Sequence, residues 1–321
     1  MKKKIINIAK IVLPLSLGVF LIWYSYQNTS PEDRQKIYTN IKEANYFWVT
    51  ISLIFGLFSH LSRAYRWNFL LAPLGYKPRF INSIMAVSIA YFANLGIPRS
   101  GEVLRATTLA TYEKIPFQKV FGTIVAERII DLIMLMLVVL LAFVLQTDTI
   151  LNFFMERGFS FRSLGIFLIL GLLGLFVFFR IIRTSESRWA LKIKYFLNGL
   201  LEGVFSIFRM KNKWPFIFHT FFIWGMYIGM FWIIKYSIAG TTSLSFNGIL
   251  TAFIAGSFAI TATNGGIGVY PLAVSKILEI YGIDSVSGDA FGWIMWTSQT
   301  LLVVIIGTLS FILLPVLNRK K

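Results

Sequence analysis

Six stretches, 5–26, 46–72, 118–146, 161–182, 214–239 and 289–316, are each apolar over 20 or more residues. That length constrains the fold more than any other feature, because about 20 residues of helix cross the roughly 30 Å hydrocarbon core of a bilayer. Lipid offers backbone N–H and C=O groups nothing to bond, so a spanning segment must satisfy them internally, as a helix or as a closed barrel. Ten-residue alternating segments, the signature of a barrel, are missing. Only 14% of the residues are charged, against about 25% in a soluble domain. The sequence therefore predicts an all-α polytopic membrane protein, with residues 1–321 forming a single integral membrane domain.

The N-terminus, MKKKIINIAKIVLPLSLGVFLIWYSY, starts basic and turns apolar like a leader. It has no small-x-small cleavage site and its apolar part runs on through Trp23 and Tyr24, so it reads as a retained first span. The chain contains no cysteine, which excludes disulfides, thiol nucleophiles and thiolate metal sites. Two histidines, His60 and His219, are too few for a histidine-rich metal centre.

The net charge of +17 does not require nucleic acid. With six spans and a cytoplasmic N-terminus, segments 1–10, 73–119, 180–213 and 318–321 share one side and carry 21 Lys or Arg. The opposite segments, 28–45, 147–162 and 240–289, read as loops and carry six, against eight Asp or Glu. This is the positive-inside asymmetry, and it predicts both termini in the cytoplasm, in the inner membrane. Segment 180–213 mixes cations with apolar residues at helical spacing. It fits an amphipathic helix on the anionic inner leaflet, and equally a solvated linker.

Two shorter apolar segments remain, 80–97 and 245–263, each ending in a glycine-containing break. Each break is followed by a helical segment, 100–113 and 268–281, and then by a long span. Broken backbone at membrane depth is tolerated only inside protein or beside a watery cavity. The regions align with one another, INSIMAVSIA with FNGILTAFIA, and the threading gives them opposite orientation. About six full spans plus two re-entrant broken-helix hairpins, forming an inverted repeat with cores 80–146 and 245–316, is the expected architecture. Chance likeness between apolar segments, or a single kinked span across 80–113, is the alternative.

Three motifs occur in order: Pro98-Arg99-Ser100-Gly101-Glu102-Val103-Leu104-Arg105, Ala126-Glu127-Arg128-Ile129-Ile130-Asp131-Leu132, and Asn264-Gly265-Gly266-Ile267-Gly268-Val269. They resemble the flippase-like family, also called the lysylphosphatidylglycerol synthase transmembrane family, over about residues 10–316. The resemblance implies a lipid flippase or transporter. Where family members carry a soluble aminoacyl-transfer domain it follows the membrane part, so a chain ending at Lys321 is expected to be a stand-alone membrane domain.

Ionisable residues within a membrane need a partner or a purpose. His60, Arg63 and Arg66 share a face of the second span; Arg99, Glu102 and Arg105 follow the first break; Glu127, Arg128 and Asp131 open the third span. With His60 neutral, five Arg against three carboxylates leave about two positive charges in surplus. A lipid phosphate suits that surplus, since Arg binds phosphate bidentately. Helix starts at Ser100-Gly101 and at Gly265-Gly266 would add open amide donors. Arg99, Ser100, Gly101, Arg105, Arg63, Arg66, Arg128, Gly265 and Gly266 are therefore the expected contacts to an anionic headgroup. Glu102, Glu127, Asp131 and His60 are the expected supporting or proton-coupling groups. Helix clamping by Arg–carboxylate pairs, and snorkelling of Arg63 and Arg66, are the architectural alternatives. Lys235 is expected near the outer surface with its amine in water, and Trp293 and Trp296 in bundle packing.

No metal or cofactor is expected, there is no Walker A motif, and no catalytic constellation stands out. A lipid transporter that is not an enzyme is the leading expectation, with membrane lipids as partners. A small-anion carrier, an enzyme or accessory protein on polyprenyl-phosphate lipids, and a scaffold are the alternatives.

Overall fold

The computed structural model describes residues 2–97, 100–147 and 210–319, with isolated positions between 173 and 194. Among them the chain is helical and has no strand. The expected span 161–182 and most of the basic segment 180–213 lie outside the described residues. The chain divides into two compact units, Met1–Glu127 with Trp214–Lys321, and Arg128–Lys213.

Ten helices carry the description: α1 (Lys2–Asn28), α2 (Pro31–Lys42), α3 (Tyr46–Leu71), α4 (Phe80–Gly96), α5 (Ser100–Glu113), α6 (Phe117–Leu145), α7 (Lys213–Ile234), α8 (Phe246–Ala262), α9 (Val269–Ile280) and α10 (Ser285–Leu317). Four of the apolar stretches, Tyr46–Leu74, Phe117–Leu145, Lys213–Ser237 and Ser285–Leu317, are long and apolar enough to cross a membrane. On α10, Leu301, Ile305, Leu309, Ile312 and Val316 form an exposed stripe at helical spacing. In water such a stripe would aggregate; against acyl chains it is at home. The protein is a polytopic all-α membrane protein.

The ends are written locally. Ser30 caps α2 by accepting a hydrogen bond from Asp33 N at 3.0 Å, with Pro31 in the first turn. Asn45, Ser245 and Asp284 cap α3, α8 and α10 in the same way, each satisfying one N–H that has no partner within its helix. Helix α2 replaces the loop expected over 28–45. It buries no residue, so no apolar periodicity announced it; the Ser30-Pro31 start was its only signal.

The short segments are helices of 17 residues, α4 and α8, about 26 Å long and below the roughly 30 Å of a hydrocarbon core. Helices α4 and α5 pack against each other, as do α8 and α9, and α10 packs on both α4 and α9. At the first break Ser100 Oγ donates to Ile97 O at 2.8 Å, and Asn94 Oδ1 accepts from Gly101 N at 2.8 Å. At the second, Gly265, Gly266 and Gly268 have φ of +62°, +82° and +69°, a region only glycine enters freely. Trp296 on α10 fixes that loop by donating from Nε1 to Gly265 O at 2.8 Å. The two breaks touch: Asn264 Nδ2 donates to Gly96 O at 3.4 Å, and a Cβ at Gly265 would meet Leu95.

Lys235 departs from its expected place. It is 5% exposed, donates from Nζ to Leu244 O at 2.8 Å, and lies 3.8 Å from the centre of the Trp232 ring. A backbone carbonyl and an aromatic face, rather than water, hold its charge.

Candidate functional site

Helices α3, α5 and α6 bring four ionisable side chains to one point. Glu127 on α6 is fully buried; Arg66 is equally buried, and Arg63 and Arg105 are 2% exposed. Arg105 holds the carboxylate bidentately, Nη1 to Oε1 at 3.0 Å and Nη2 to Oε2 at 3.0 Å. Arg63 Nη1 donates to Oε1, and Arg66 Nη2 lies 3.5 Å from the same oxygen. Arg63 and Arg66 are one turn apart on α3, which is why both reach a single carboxylate. Three guanidiniums against one carboxylate leave these four side chains with two positive charges, out of water.

The surroundings hold the cluster in place. Arg66 Nη1 donates to Thr220 Oγ1 at 3.0 Å, and Arg63 Nη2 to Tyr227 OH at 3.2 Å, both on α7. The Arg105 guanidinium stacks 3.9 Å from the Trp67 ring centre, and Trp67 Nε1 donates to Thr123 Oγ1 at 2.8 Å. Trp67, Leu71, Ala86, Val87, Ala106, Leu109, Val120 and Ile124 form the apolar core beneath. Ser62, one position before Arg63, shares a 2.8 Å hydrogen bond with His219 Nδ1.

Of the expected site residues, Arg63, Arg66, Arg105 and Glu127 come together. His60 lies one turn from Arg63, its ring 4.5 Å from that of Tyr91. Glu102 is half-buried on α5. Arg128 has a 43% exposed side chain and pairs with Asp131 at 3.7 Å. Arg99 lies outside the described residues. Four amides at the helix starts, those of Ser100 and Gly101 among them, are engaged within the protein. Ser100 N donates to Ile97 O, Gly101 N to Asn94 Oδ1, Val269 N to Ile267 O and Tyr270 N to Gly266 O. At the first break the turn uses two donors that a looser helix start would leave open. Ser100 and Gly101 lie at the first break and Gly265 and Gly266 at the second, while the guanidiniums gather at Glu127. Thr220, Tyr227, Tyr91 and Trp67 were missed; lone hydroxyls and a Trp within apolar spans were the only sign of them.

A family model for the lysylphosphatidylglycerol synthase TM region matches residues 11–307. The chain belongs to the lysylphosphatidylglycerol synthase transmembrane family. Over 162 residues it is 28% identical to the UPF0104 membrane protein MJ1595 of Methanocaldococcus jannaschii. That match covers 50% of this chain and 45% of the relative, so the chain spans under half the length of the curated protein it matches. No solved structure matches it. Within the family match fall all four charged residues of the cluster and both breaks.

Proposed function

We propose that this protein is a lipid transporter, moving a phosphate-bearing lipid across the cytoplasmic membrane without catalysing a reaction. The observation that carries the reading is the surplus of two positive charges on Arg63, Arg66, Arg105 and Glu127, all at most 2% exposed. Burying charge in a low-dielectric interior is costly, and a bundle needing only a helix clamp would be served by one Arg and one Glu. A phosphate entering from the bilayer offsets the surplus, and planar guanidiniums bind it bidentately. Family membership supports the same reading. On this reading the hairpins α4–α5 and α8–α9 act as an inverted, re-entrant pair, and the contact between their breaks supports it, since transporters of that plan bind where broken helices meet.

Orientation is testable directly, because the chain has no cysteine. With both termini inside, Lys36→Cys on α2 faces outward and Lys77→Cys, before α4, faces the cytoplasm. An impermeant maleimide applied to intact cells is expected to label the first and spare the second. The reverse pattern would invert the proposed topology.

Transport is tested in liposomes holding the purified protein and a lipid labelled on its acyl chain, read by an impermeant quencher. Arg105→Gln lowers the surplus to one while leaving Glu127 two guanidiniums, so folding is retained. Protein-dependent exposure of phosphate-bearing lipids is expected in the wild type, and at least about tenfold slower exposure in the variant. Exposure equal to that of empty liposomes for every headgroup, with and without a proton gradient, would remove the transport reading.

A further inference from the structure

Lys235 follows directly after α7 and is buried well away from the Arg–Glu cluster. Thr220, which Arg66 touches, lies on the same helix, and the rise from Thr220 to Lys235 is roughly 22 Å at about 1.5 Å per residue. Two cationic centres thus stand toward opposite ends of a helix long and apolar enough to cross a membrane. The surroundings of Lys235 hold its charge without neutralising it. Nζ donates to Leu244 O at 2.8 Å and lies 3.8 Å from the Trp232 ring centre and 5.0 Å from that of Tyr236. Among the described residues no carboxylate pairs with it. An ammonium carries three donors, and Leu244 O takes one. A neutral Gln could serve that carbonyl without the cost of burying a charge, so the ammonium asks for a further partner.

The geometry points to a second phosphate site at Lys235, serving a lipid in the leaflet away from the Arg–Glu cluster. The inference rests on the lipid-transport reading and gives the path its other end. Depth supports it. The Trp48 ring lies 5.3 Å from that of Tyr236, and the Trp232 ring 6.0 Å from that of Phe246; Trp and Tyr collect at the level of the headgroups, where lipid phosphates lie. The cover is slight. The chain reversal that supplies Leu244 O is tied back by Thr241 Oγ1, which donates to Lys235 O at 2.7 Å, and its Ala239, Gly240, Thr242 and Ser243 are exposed. With that reversal displaced, Nζ keeps one bond to the protein and offers its remaining N–H groups to phosphate oxygens. A single ammonium lacks the bidentate fork of a guanidinium, so it holds a phosphate more loosely than the cluster does, as departure into the leaflet requires.

The test uses the full chain in phosphatidylcholine nanodiscs, titrated with acyl-labelled phosphatidate and read as lipid bound per chain. The wild type is expected to bind two, and Lys235→Cys one. The chain has no native cysteine, so a methanethiosulfonate reagent applied in detergent before reconstitution modifies position 235 alone. An aminoethyl adduct, which restores an ammonium, is expected to return the count to two, while a hydroxyethyl adduct of similar length leaves it at one. Should Lys235→Cys fail to fold, Lys235→Gln keeps a donor for Leu244 O and is expected to bind one. Two phosphatidates on either uncharged variant, or equal rescue by the two adducts, overturns the inference. Glycerol 3-phosphate or inorganic phosphate displacing the Lys235-dependent lipid as well as unlabelled phosphatidate does moves the site to soluble phosphates and overturns the lipid source. A wild type that binds one phosphatidate, lost in Arg105→Gln, overturns the second site and leaves the transport reading standing. A wild type that binds none removes the transport reading itself.

Discussion

Glu127→Leu is expected to lower the stability of the bundle by about 3–5 kcal/mol, enough to prevent accumulation of folded protein. The carboxylate is fully buried and is the shared partner of Arg63, Arg66 and Arg105. Removing it leaves three guanidiniums repelling one another in a medium that screens them poorly. Thermal unfolding of purified protein in detergent reads the loss. The companion variant changes all four residues together, Arg63→Met, Arg66→Met, Arg105→Met and Glu127→Leu. Replacing a complete buried ionic group by apolar side chains of similar volume is often neutral for stability, so most of the lost stability is expected to return. Lipid exposure in liposomes is expected to stay at the level of empty liposomes. A four-residue variant that transports at the wild-type rate would make the cluster architectural.

These expectations depend on a pairing that the sequence narrows but does not settle. Glu127 and Asp131 lie one turn apart on α6, with Arg128 between them, and a helix of almost uniform hydropathy gives little sign of its rotation. Which carboxylate faces α3 and α5 is fixed by how the helices cross, so Glu127 meets three Arg while Asp131 pairs with Arg128 along its own helix. The spans themselves were legible because length and composition determine them: α3, α6 and α10 begin and end within a few residues of the apolar runs. Both breaks were legible because Pro, Gly and polar residues interrupt otherwise apolar sequence. Their internal bonding was not. Asn94 and Trp296 reach the breaks from 7 and 31 residues away, and nothing local marks either as a partner. Lys235 shows the same limit: its acceptor, Leu244 O, belongs to a chain reversal that hydropathy does not describe.

The break between α4 and α5 supplies the other large effect. Gly101→Ala is expected to cost about 2–4 kcal/mol, and Gly101→Val more, because the obstacle is backbone. A Cβ at position 101 would run into the Ala90 carbonyl oxygen, with Ala90 C and Asn94 Nδ2 each at 2.8 Å. A flexible side chain could turn away from such a contact, but a carbonyl inside α4 cannot without opening the hairpin. Gly101 also donates its N–H to Asn94 Oδ1, so displacing it breaks the bond that shapes the turn. Gly96, at the end of α4, is the control: a Cβ there meets nothing within 4 Å and its φ is not positive. Gly96→Ala is therefore expected to be neutral or to stabilise by about 0.5–1 kcal/mol, through a less flexible unfolded chain and better helix propensity. Arg105 stands one helical turn beyond Gly101, so a hairpin forced open there also pulls a guanidinium off Glu127. Gly101→Ala should thus lose transport along with stability, whereas Gly96→Ala keeps both. Equal melting temperatures for the two variants would show that α4 and α5 do not pack this closely.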